Sequence, residues 1–361
     1  MRTQLTLFFG VFIVMALSNA IVPVLPSFAS TSFLQGAIFA AYYLGAVIST
    51  LPAGMLSDRI GRIPLIRVGL LITVISGIAL YAVSSPFLVM SIRFIEGVGA
   101  GCFVASAMSW VNAVENHERM SGYFMAMLNA GLVTGLVVAG WVSAVFRHPA
   151  LGILFFAACA VIPTGASMFM RESLQPANRT DLRQLIPLVS RYRYLWHSSV
   201  ILIGITGVVI TLYPEFSSVS PEIAGTWIAM MSISTIIAVL AASRLSLSPV
   251  PAIRSSAILM VFGVLLTFYS PLGFIVIGAL AGIVMIAQMA FLAETKEPQG
   301  FTMGLFSTTS YLGMAILPFF AGLIADSFGF FPAFCAAAFC AITVALTIGY
   351  CTPENQQEVS P

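Results

Sequence analysis

The chain has 361 residues, of which 59% are apolar and only 8% charged, with a formal net charge of +2 at pH 7. Soluble domains carry about 25% charged residues, so this composition excludes a protein surrounded by water and requires lipid as the main solvent. The small net charge also excludes the basic face that nucleic-acid binding needs. The 5 cysteines show no metal-ligand or disulfide spacing, so we expect no metal and no cofactor.

The first apolar run has two interpretations. The first twenty residues resemble a signal peptide with its cleavage site, because they contain Arg2, the apolar residues Leu5 to Leu17 and small residues up to Ala20. However, apolar sequence continues through IVPVLP, which gives about the ~20 residues that a membrane-spanning helix needs. We therefore interpret this segment as a retained first helix.

Twelve apolar runs follow one another along the chain, each long enough to cross ~30 Å of hydrocarbon as a helix. They cover about residues 4–27, 34–56, 64–83, 87–111, 121–145, 149–170, 197–216, 222–242, 253–270, 272–293, 300–324 and 330–350. The sequence therefore predicts an all-α membrane protein with twelve transmembrane helices and almost no soluble part.

The longest polar stretch, residues 171–196, lies near the middle of the chain and contains five arginines. We interpret it as a basic linker on a membrane surface. It would separate an N-terminal six-helix bundle (1–170) from a C-terminal six-helix bundle with a short tail (197–361). The segments 114–125 and 293–304 also resemble each other, each with an acidic loop followed by glycine and an aromatic residue. We therefore expect two pseudo-symmetric bundles with a substrate site between them.

The basic residues predict the orientation in the membrane. If the N-terminus is cytoplasmic, thirteen basic residues lie inside and only Arg147 lies outside. This asymmetry is a strong positive-inside signal. We expect a multi-pass protein of the plasma or inner membrane, with both termini and the 171–196 linker in the cytoplasm.

The segment GMLSDRIGR (54–62) lies between the second and third predicted helices and resembles a loop motif of the major facilitator superfamily. The residues that match are Gly54, Asp58, Arg59, Gly61 and Arg62, whereas Ile63 replaces a basic residue. The resemblance implies a twelve-helix secondary transporter in which this loop acts as a conformational latch. We expect Asp58 to dock near Gly300 at the N-terminus of the eleventh helix, with Arg62 facing Glu115 or Glu118.

A second match lies in the fourth helix, in RFIEGVGAG (93–101), where Arg93, Gly97 and Gly99 fit the family pattern and Glu96 replaces a glutamine. In this family the arginine is implicated in proton-coupled transport. Arg93 and Glu96 are three residues apart, so they share a helical face and can pair. The resemblance implies proton coupling at this pair, and the alternative is a neutral pair that only braces helix packing.

The fifth helix carries GLVTGLVVAG (131–140), which partly resembles the family's antiporter motif. Gly131, Gly135 and Gly140 fit, whereas Leu136 stands in place of proline and Ala139 in place of glycine. Small residues at this spacing are also typical of helix packing. The sequence leaves both interpretations open.

Polar residues inside the spans are few, and they predict where a substrate binds. The candidates for the cavity are Asn19, Asn129, Gln288 and Glu215. Glu215 follows Tyr213-Pro214, so a solvated helix end is its alternative. In the family, helices one, four, seven and ten line the cavity. A cavity with so little charge favours an amphipathic or weakly polar solute over a phosphate or nucleotide.

The residues and the resemblance together predict a monomeric secondary active transporter and not an enzyme. We expect alternating access that exports a small organic solute, with protons as the coupling ion. The alternatives are a symporter or facilitator for sugars or organic acids, and a receptor or scaffold on a carrier fold.

Overall fold

The chain is described by a computed structural model covering residues 2–112, 117–171, 189–217, 219–242, 245, 247–293 and 299–351. These residues form twelve α-helices. They are α1 (Arg2–Ala20), α2 (Ser32–Ile60), α3 (Arg62–Ala82), α4 (Pro86–Asn112), α5 (His117–Phe146), α6 (Leu151–Ser167), α7 (Arg193–Phe216), α8 (Pro221–Ala242), α9 (Pro249–Tyr269), α10 (Gly273–Ala293), α11 (Gln299–Phe328) and α12 (Phe330–Thr347). Short 3₁₀ helices at Val22–Ser27 and Ile348–Tyr350 extend α1 and α12.

The helices have the length and apolarity of membrane spans. Within the described residues, 11 helices are long and apolar enough to cross a membrane, and α6 is an apolar helix of 17 residues. Large apolar side chains such as Phe262, Phe339 and Phe169 are mostly exposed on the outside of the bundle. Such a surface is stable in hydrocarbon and unstable in water. The chain is a multi-pass membrane protein.

The predicted helix boundaries differ from the observed ones by a few residues at several ends, including the start of α7 at Arg193, inside the predicted linker 171–196, and two differences have a clear physical reason. The first run does not form one continuous α-helix, because Pro23 and Pro26 remove backbone donors and the chain tightens into a 3₁₀ segment after Ala20. The second helix was predicted to end at residue 56, but α2 continues through the motif to Ile60. Only Gly61 separates α2 from α3, and its φ of 96° lies in the region that favours glycine.

The helices pack in two sets that repeat the same arrangement. In the first set α1 packs on α5, α2 on α4, and α3 on both α4 and α6. Adding six to each number gives the second set, in which α7 packs on α11, α8 on α10, and α9 on both α10 and α12. The two sets contact each other through α2 with α11 and through α5 with α8. These two contacts are equivalent, because α8 and α11 are the counterparts of α2 and α5 in the second set. The fold is therefore two pseudo-symmetric six-helix bundles.

Glycines bring the helices into backbone contact at equivalent places in both bundles. In α4, added Cβ atoms at Gly97 and Gly101 would meet α2. In α10, Gly278 and Gly282 approach Met231 and Thr235 of α8 in the same way. Small residues four apart let helices approach closely, which is how membrane helices gain packing energy.

Gly131 and Gly135 lie in the same way against the backbone of α1, at Phe12 and Ala16. Gly99 faces the other way, and a Cβ there would lie 2.6 Å from Ile72 Cγ2 of α3. Gly140 is buried. Gly131 and Gly135 therefore pack α5 against α1, and the antiporter interpretation of the motif stays a prediction.

We name the two faces of the bundle by the residues found there. The Ser32 end is the face where α2 begins and odd-numbered helices finish. The Arg62 end is the face where α3 begins and even-numbered helices finish. The positive-inside prediction places the Ser32 end outside the cell and the Arg62 end in the cytoplasm.

Candidate functional site

A buried ion pair lies in α4, about two turns from its start. Arg93 Nη1 and Glu96 Oε2 are 2.8 Å apart, and both residues are 1% exposed. Their spacing of three places both on one face of the helix. Removing two charges from water costs several kcal/mol per ion, which only close pairing can offset. The pair predicted from the sequence is therefore formed.

Two neighbouring helices complete the surroundings of Arg93. Its Nη2 donates a hydrogen bond of 3.0 Å to the backbone carbonyl of Ser18, near the end of α1. Its guanidinium carbon lies 4.4 Å from the ring centre of Tyr42 in α2, which is a cation–π contact. Gly97 makes this possible, because it brings α4 against the backbone of Tyr42.

Three polar atoms of this cluster have no hydrogen-bond partner. They are Arg93 Nε, Glu96 Oε1 and the hydroxyl of Tyr42. Buried polar atoms are normally paired, and an unpaired one costs about 1–3 kcal/mol. The cluster therefore presents two donors and an acceptor that a bound solute, a proton or a water molecule can satisfy.

Aromatic rings connect this cluster to the second bundle. The ring centres of Tyr42 and Tyr43 are 5.1 Å apart, and those of Tyr43 and Tyr311 of α11 are 6.1 Å apart. Phe39 packs on Tyr43 at 4.9 Å. A solute between the bundles would therefore meet aromatic faces next to the ion pair.

The second bundle brings together an uncharged polar cluster. Gln288 of α10 is fully buried and donates to Ser198 Oγ of α7 at 2.8 Å, while its Oε1 has no partner. Beside it, the hydroxyls of Ser199 and Ser310 are 3.1 Å apart, and Thr309 donates to Ser199 at 3.3 Å. Sequence reasoning found Gln288 but missed the hydroxyl residues, because serine and threonine are common in membrane helices and give no signal alone.

The other cavity candidates make bonds within the protein. Asn19 donates to the carbonyl of Leu132 at 3.4 Å and so links α1 to α5. Asn129 donates to the carbonyl of Met125, one turn earlier in its own helix. Glu215 accepts a hydrogen bond from Ser32 of the other bundle. Their role in binding a solute remains a proposal.

The predicted latch is described only in part. The side chains of Asp58, Arg59 and Glu118, and all of Glu115, lie outside the described residues. Arg62 Nε donates to Ser109 of α4 at 3.0 Å. A Cβ at Gly54 would meet no atom within 4 Å, so close packing does not explain that glycine.

A cavity of about 620 Å³ opens beside the ion pair but does not contain it. Its floor is Ala37, Ala40 and Ala41 of α2, and its walls come from α4 and α11. Leu44 and Phe320 on its rim are 43% and 55% exposed, so it faces the surface that lipid covers. It is an apolar groove and not the polar site.

Comparison with known proteins identifies the family. The family model described as the Major Facilitator Superfamily matches residues 7–294. The chain belongs to this superfamily. The family and the fold are those of transporters and not of enzymes.

Solved structures of other transporters share the fold. A mutant of the nucleoside transporter NupG superposes with a TM-score of 0.78 at 15% identity, over 96% of this chain and 99% of that one. The D-xylose-proton symporter gives 0.76 at 14% identity, over 98% of both chains. At these identities the likeness concerns the fold alone.

Curated relatives of this superfamily member include drug efflux proteins. The multi-drug resistance efflux pump PmrA homolog of Lactococcus lactis is 32% identical over 137 residues, which is 36% of this chain and 33% of the relative. The quinolone resistance protein NorA of Staphylococcus aureus strain MRSA252 is 29% identical over 43% of this chain and 44% of the relative. In strain COL, NorA is 24% identical over 89% of both chains. The first two relatives are thus matched over less than half their length.

Proposed function

We propose that this transporter exports a small, weakly polar organic solute in exchange for protons, by alternating access between its two bundles. Glu96 is the proton-carrying residue, and the buried Arg93–Glu96 pair with its unpaired atoms is the observation that carries the proposal. Intramembrane ionisable residues are costly, and they mark ion and proton pathways.

The surroundings of the pair suit a carboxylate that changes its protonation state. When Glu96 is ionised, Arg93 neutralises it at 2.8 Å. When Glu96 takes up a proton, Arg93 keeps the Ser18 carbonyl and the Tyr42 ring as partners. Both states therefore leave Arg93 with partners, which lowers the cost of exchanging the proton within a buried site.

The cargo surface is mostly aromatic and uncharged. Tyr43 and Tyr311 present rings at the junction of the bundles, and Gln288 offers an unpaired carbonyl oxygen. The net charge of the Arg93–Glu96 pair is zero. This combination favours a planar, amphipathic solute and disfavours a phosphate, which requires several converging cations. The names of the relatives, which describe multidrug efflux and quinolone resistance, support the direction of transport.

The test is transport of a fluorescent quinolone into inside-out membrane vesicles. Glu96→Gln keeps the shape of the side chain but cannot release a proton. We expect it to abolish accumulation driven by a pH gradient, while exchange between labelled and unlabelled quinolone continues. Glu222→Gln is the matched control, because it removes a carboxylate at the start of α8 that makes no contact with Arg93. Accumulation by Glu96→Gln at the wild-type level would overturn the role of Glu96.

The same vesicles distinguish the proposed exporter from the second candidate, a symporter or facilitator for sugars or organic acids. The hydroxyl and amide cluster around Gln288 and Ser199 is of a kind that also binds sugar hydroxyls. Uptake of D-xylose in the direction of the proton gradient, with no quinolone transport, would favour a symporter. Solute binding without any flux would favour a receptor.

A further inference from the structure

The beginning of α2 is held by two carboxylates of the other bundle. Asp326 of α11 accepts the backbone N–H of Ser32 at 2.8 Å through Oδ1 and that of Phe33 at 2.9 Å through Oδ2. Glu215 of α7 accepts the hydroxyl of Ser32 at 2.6 Å through Oε2. Three hydrogen bonds between described residues therefore join the bundles at the Ser32 end.

These bonds replace a local helix cap. The first N–H groups of a helix have no partner inside the helix, and a nearby side chain normally satisfies them. In α2 the side chain of the N-cap residue Thr31 accepts only the N–H of Leu34, at 3.3 Å. Asp326 accepts the N–H groups of Ser32 and Phe33, which precede Leu34. A carboxylate at this position also interacts favourably with the positive end of the helix dipole, so the first turn of α2 depends on a residue of the other bundle.

Backbone packing between α2 and α11 is tight at the same end. A Cβ at Gly36 would lie 2.6 Å from the Pro318 carbonyl oxygen, and Gly322 lies directly against the carbonyl of Ser32. At the opposite end the nearest atom to a Cβ at Gly304 is Leu51 Cδ1, at 3.9 Å. The backbones of the two helices are therefore packed more tightly at Gly36 and Gly322 than at Gly304.

We propose that Asp326 and Glu215 form a latch that keeps the Ser32 end closed, and that α2 must leave both carboxylates before the cavity opens there. The latch is separate from the proposed coupling at Glu96, since it acts on the shape of the molecule and not on the cargo. Both oxygens of Asp326 act as acceptors, so the latch depends on its whole carboxylate group.

No arginine or lysine that the structure describes lies within ion-pair distance of Glu215 or Asp326. At this end α7 contributes Glu215, α11 contributes Asp326 and α8 contributes Glu222 at its start, and Arg147 and His148 follow α5. The nearest charges on α4 are Arg93 and Glu96, which neutralise each other. The titratable residues of α2 near this end are Tyr42 and Tyr43, and the described parts of α12 and of the 3₁₀ segment 22–27 contain no charged residue.

The experiment measures the distance across the Ser32 end by double electron–electron resonance between two spin labels. Spin labels are placed at Ser84→Cys in the first bundle and Leu272→Cys in the second, in a protein whose 5 native cysteines are replaced. Both positions are exposed. Asp326→Asn loses the charge and one acceptor, so we expect the long-distance, open population to rise about tenfold.

Two further variants separate the parts of the latch. Ser32→Ala removes only the bond to Glu215 and keeps the two backbone bonds to Asp326, so we expect a smaller rise of about threefold. Glu222→Gln removes an outer carboxylate outside the latch and should leave the distances unchanged. Wild-type distances in folded Asp326→Asn would overturn the latch, and so would wild-type distances in Ser32→Ala if Asp326→Asn does not fold. Because distance and not flux is measured, failure here is distinguishable from failure of the Glu96 proposal.

Discussion

At the scale of a single residue, substitutions of Tyr42 test transport and stability independently. Its ring contacts Arg93, but its hydroxyl is buried without a partner and so does not stabilise the fold. We expect Tyr42→Phe to keep or slightly raise the melting temperature, since the ring and the cation–π contact remain and an unpaired buried hydroxyl is removed. If the hydroxyl binds the cargo or its proton, coupled transport should fall roughly tenfold, which corresponds to one hydrogen bond.

The measurement is thermal unfolding in detergent together with quinolone flux. Tyr42→Leu is the comparison variant, because it removes the ring and should lower the melting temperature as well as transport. A Tyr42→Phe protein that transports at the wild-type rate would show that the hydroxyl has no part in the cycle.

The ionic part of the site could be predicted from sequence, and its remaining partners could not. A charged pair three residues apart in an apolar helix is visible in any reading of the fourth span, and Arg93 and Glu96 do pair. The Ser18 carbonyl and Tyr42 lie on other helices, 75 and 51 positions away from Arg93 in the sequence. Their proximity depends on the packing of α1 and α2, which local spacing does not contain. Asp326 was missed for the same reason.

At the scale of the helices, glycines that resemble each other in sequence have different roles. A Cβ at Gly97 would collide with the backbone of Tyr42, whereas a Cβ at Gly54 would meet nothing within 4 Å. We expect Gly97→Ala to separate α2 from α4 and to destabilise the protein by about 1–3 kcal/mol. Gly54→Ala lies in the continued helix and should be neutral or stabilising by up to about 1 kcal/mol.

Melting temperatures of these two variants in the same detergent test this difference. If the melting temperature fell equally in both variants, close helix packing would not explain the difference between the two glycines. Unchanged stability of Gly97→Ala would mean that α2 and α4 are less closely packed than the structure indicates.

The helix boundaries show where reasoning from sequence stops at this scale. Long apolar runs predicted all twelve helices, because hydrocarbon leaves the backbone little alternative to a helix. Residues 57–60 were assigned to a loop because of their charges. They are helical because helix formation continues beyond the apolar region until Gly61, with its φ of 96°, ends it.

At the scale of the whole molecule, the arginine asymmetry predicts the orientation. Single cysteines introduced at positions 180 and 356, in a protein without its native cysteines, should react with a membrane-impermeant maleimide only from the cytoplasmic side. Ser84→Cys at the Ser32 end is the matched control and should react only from outside. Labelling of positions 180 and 356 from outside would reverse the orientation and exchange the two ends.

The two-bundle architecture was predicted from the central basic stretch, and the structure gives it a stronger basis. Helix contacts repeat when six is added to each helix number, and Gly278 and Gly282 repeat the roles of Gly97 and Gly101. The sequence similarity between the halves is too weak to reveal these repeated contacts. Close packing requires only small residues four positions apart, and the residues around them can differ. The charged features are not repeated, since the ion pair lies in one bundle and the uncharged Gln288 cluster in the other. We therefore expect the first bundle to handle the proton and the second to contact mainly the solute.

The most direct test of this proposal is the movement of protons when only a solute gradient is imposed. Proteoliposomes with a trapped pH-sensitive dye receive a quinolone outside, with equal pH on both sides and protein-free liposomes as the blank. Exchange of solute for protons predicts that the interior becomes alkaline in wild type and in Glu222→Gln, and does not change in Glu96→Gln. An interior that becomes acidic, or an alkaline shift that persists in Glu96→Gln, would contradict proton exchange through Glu96.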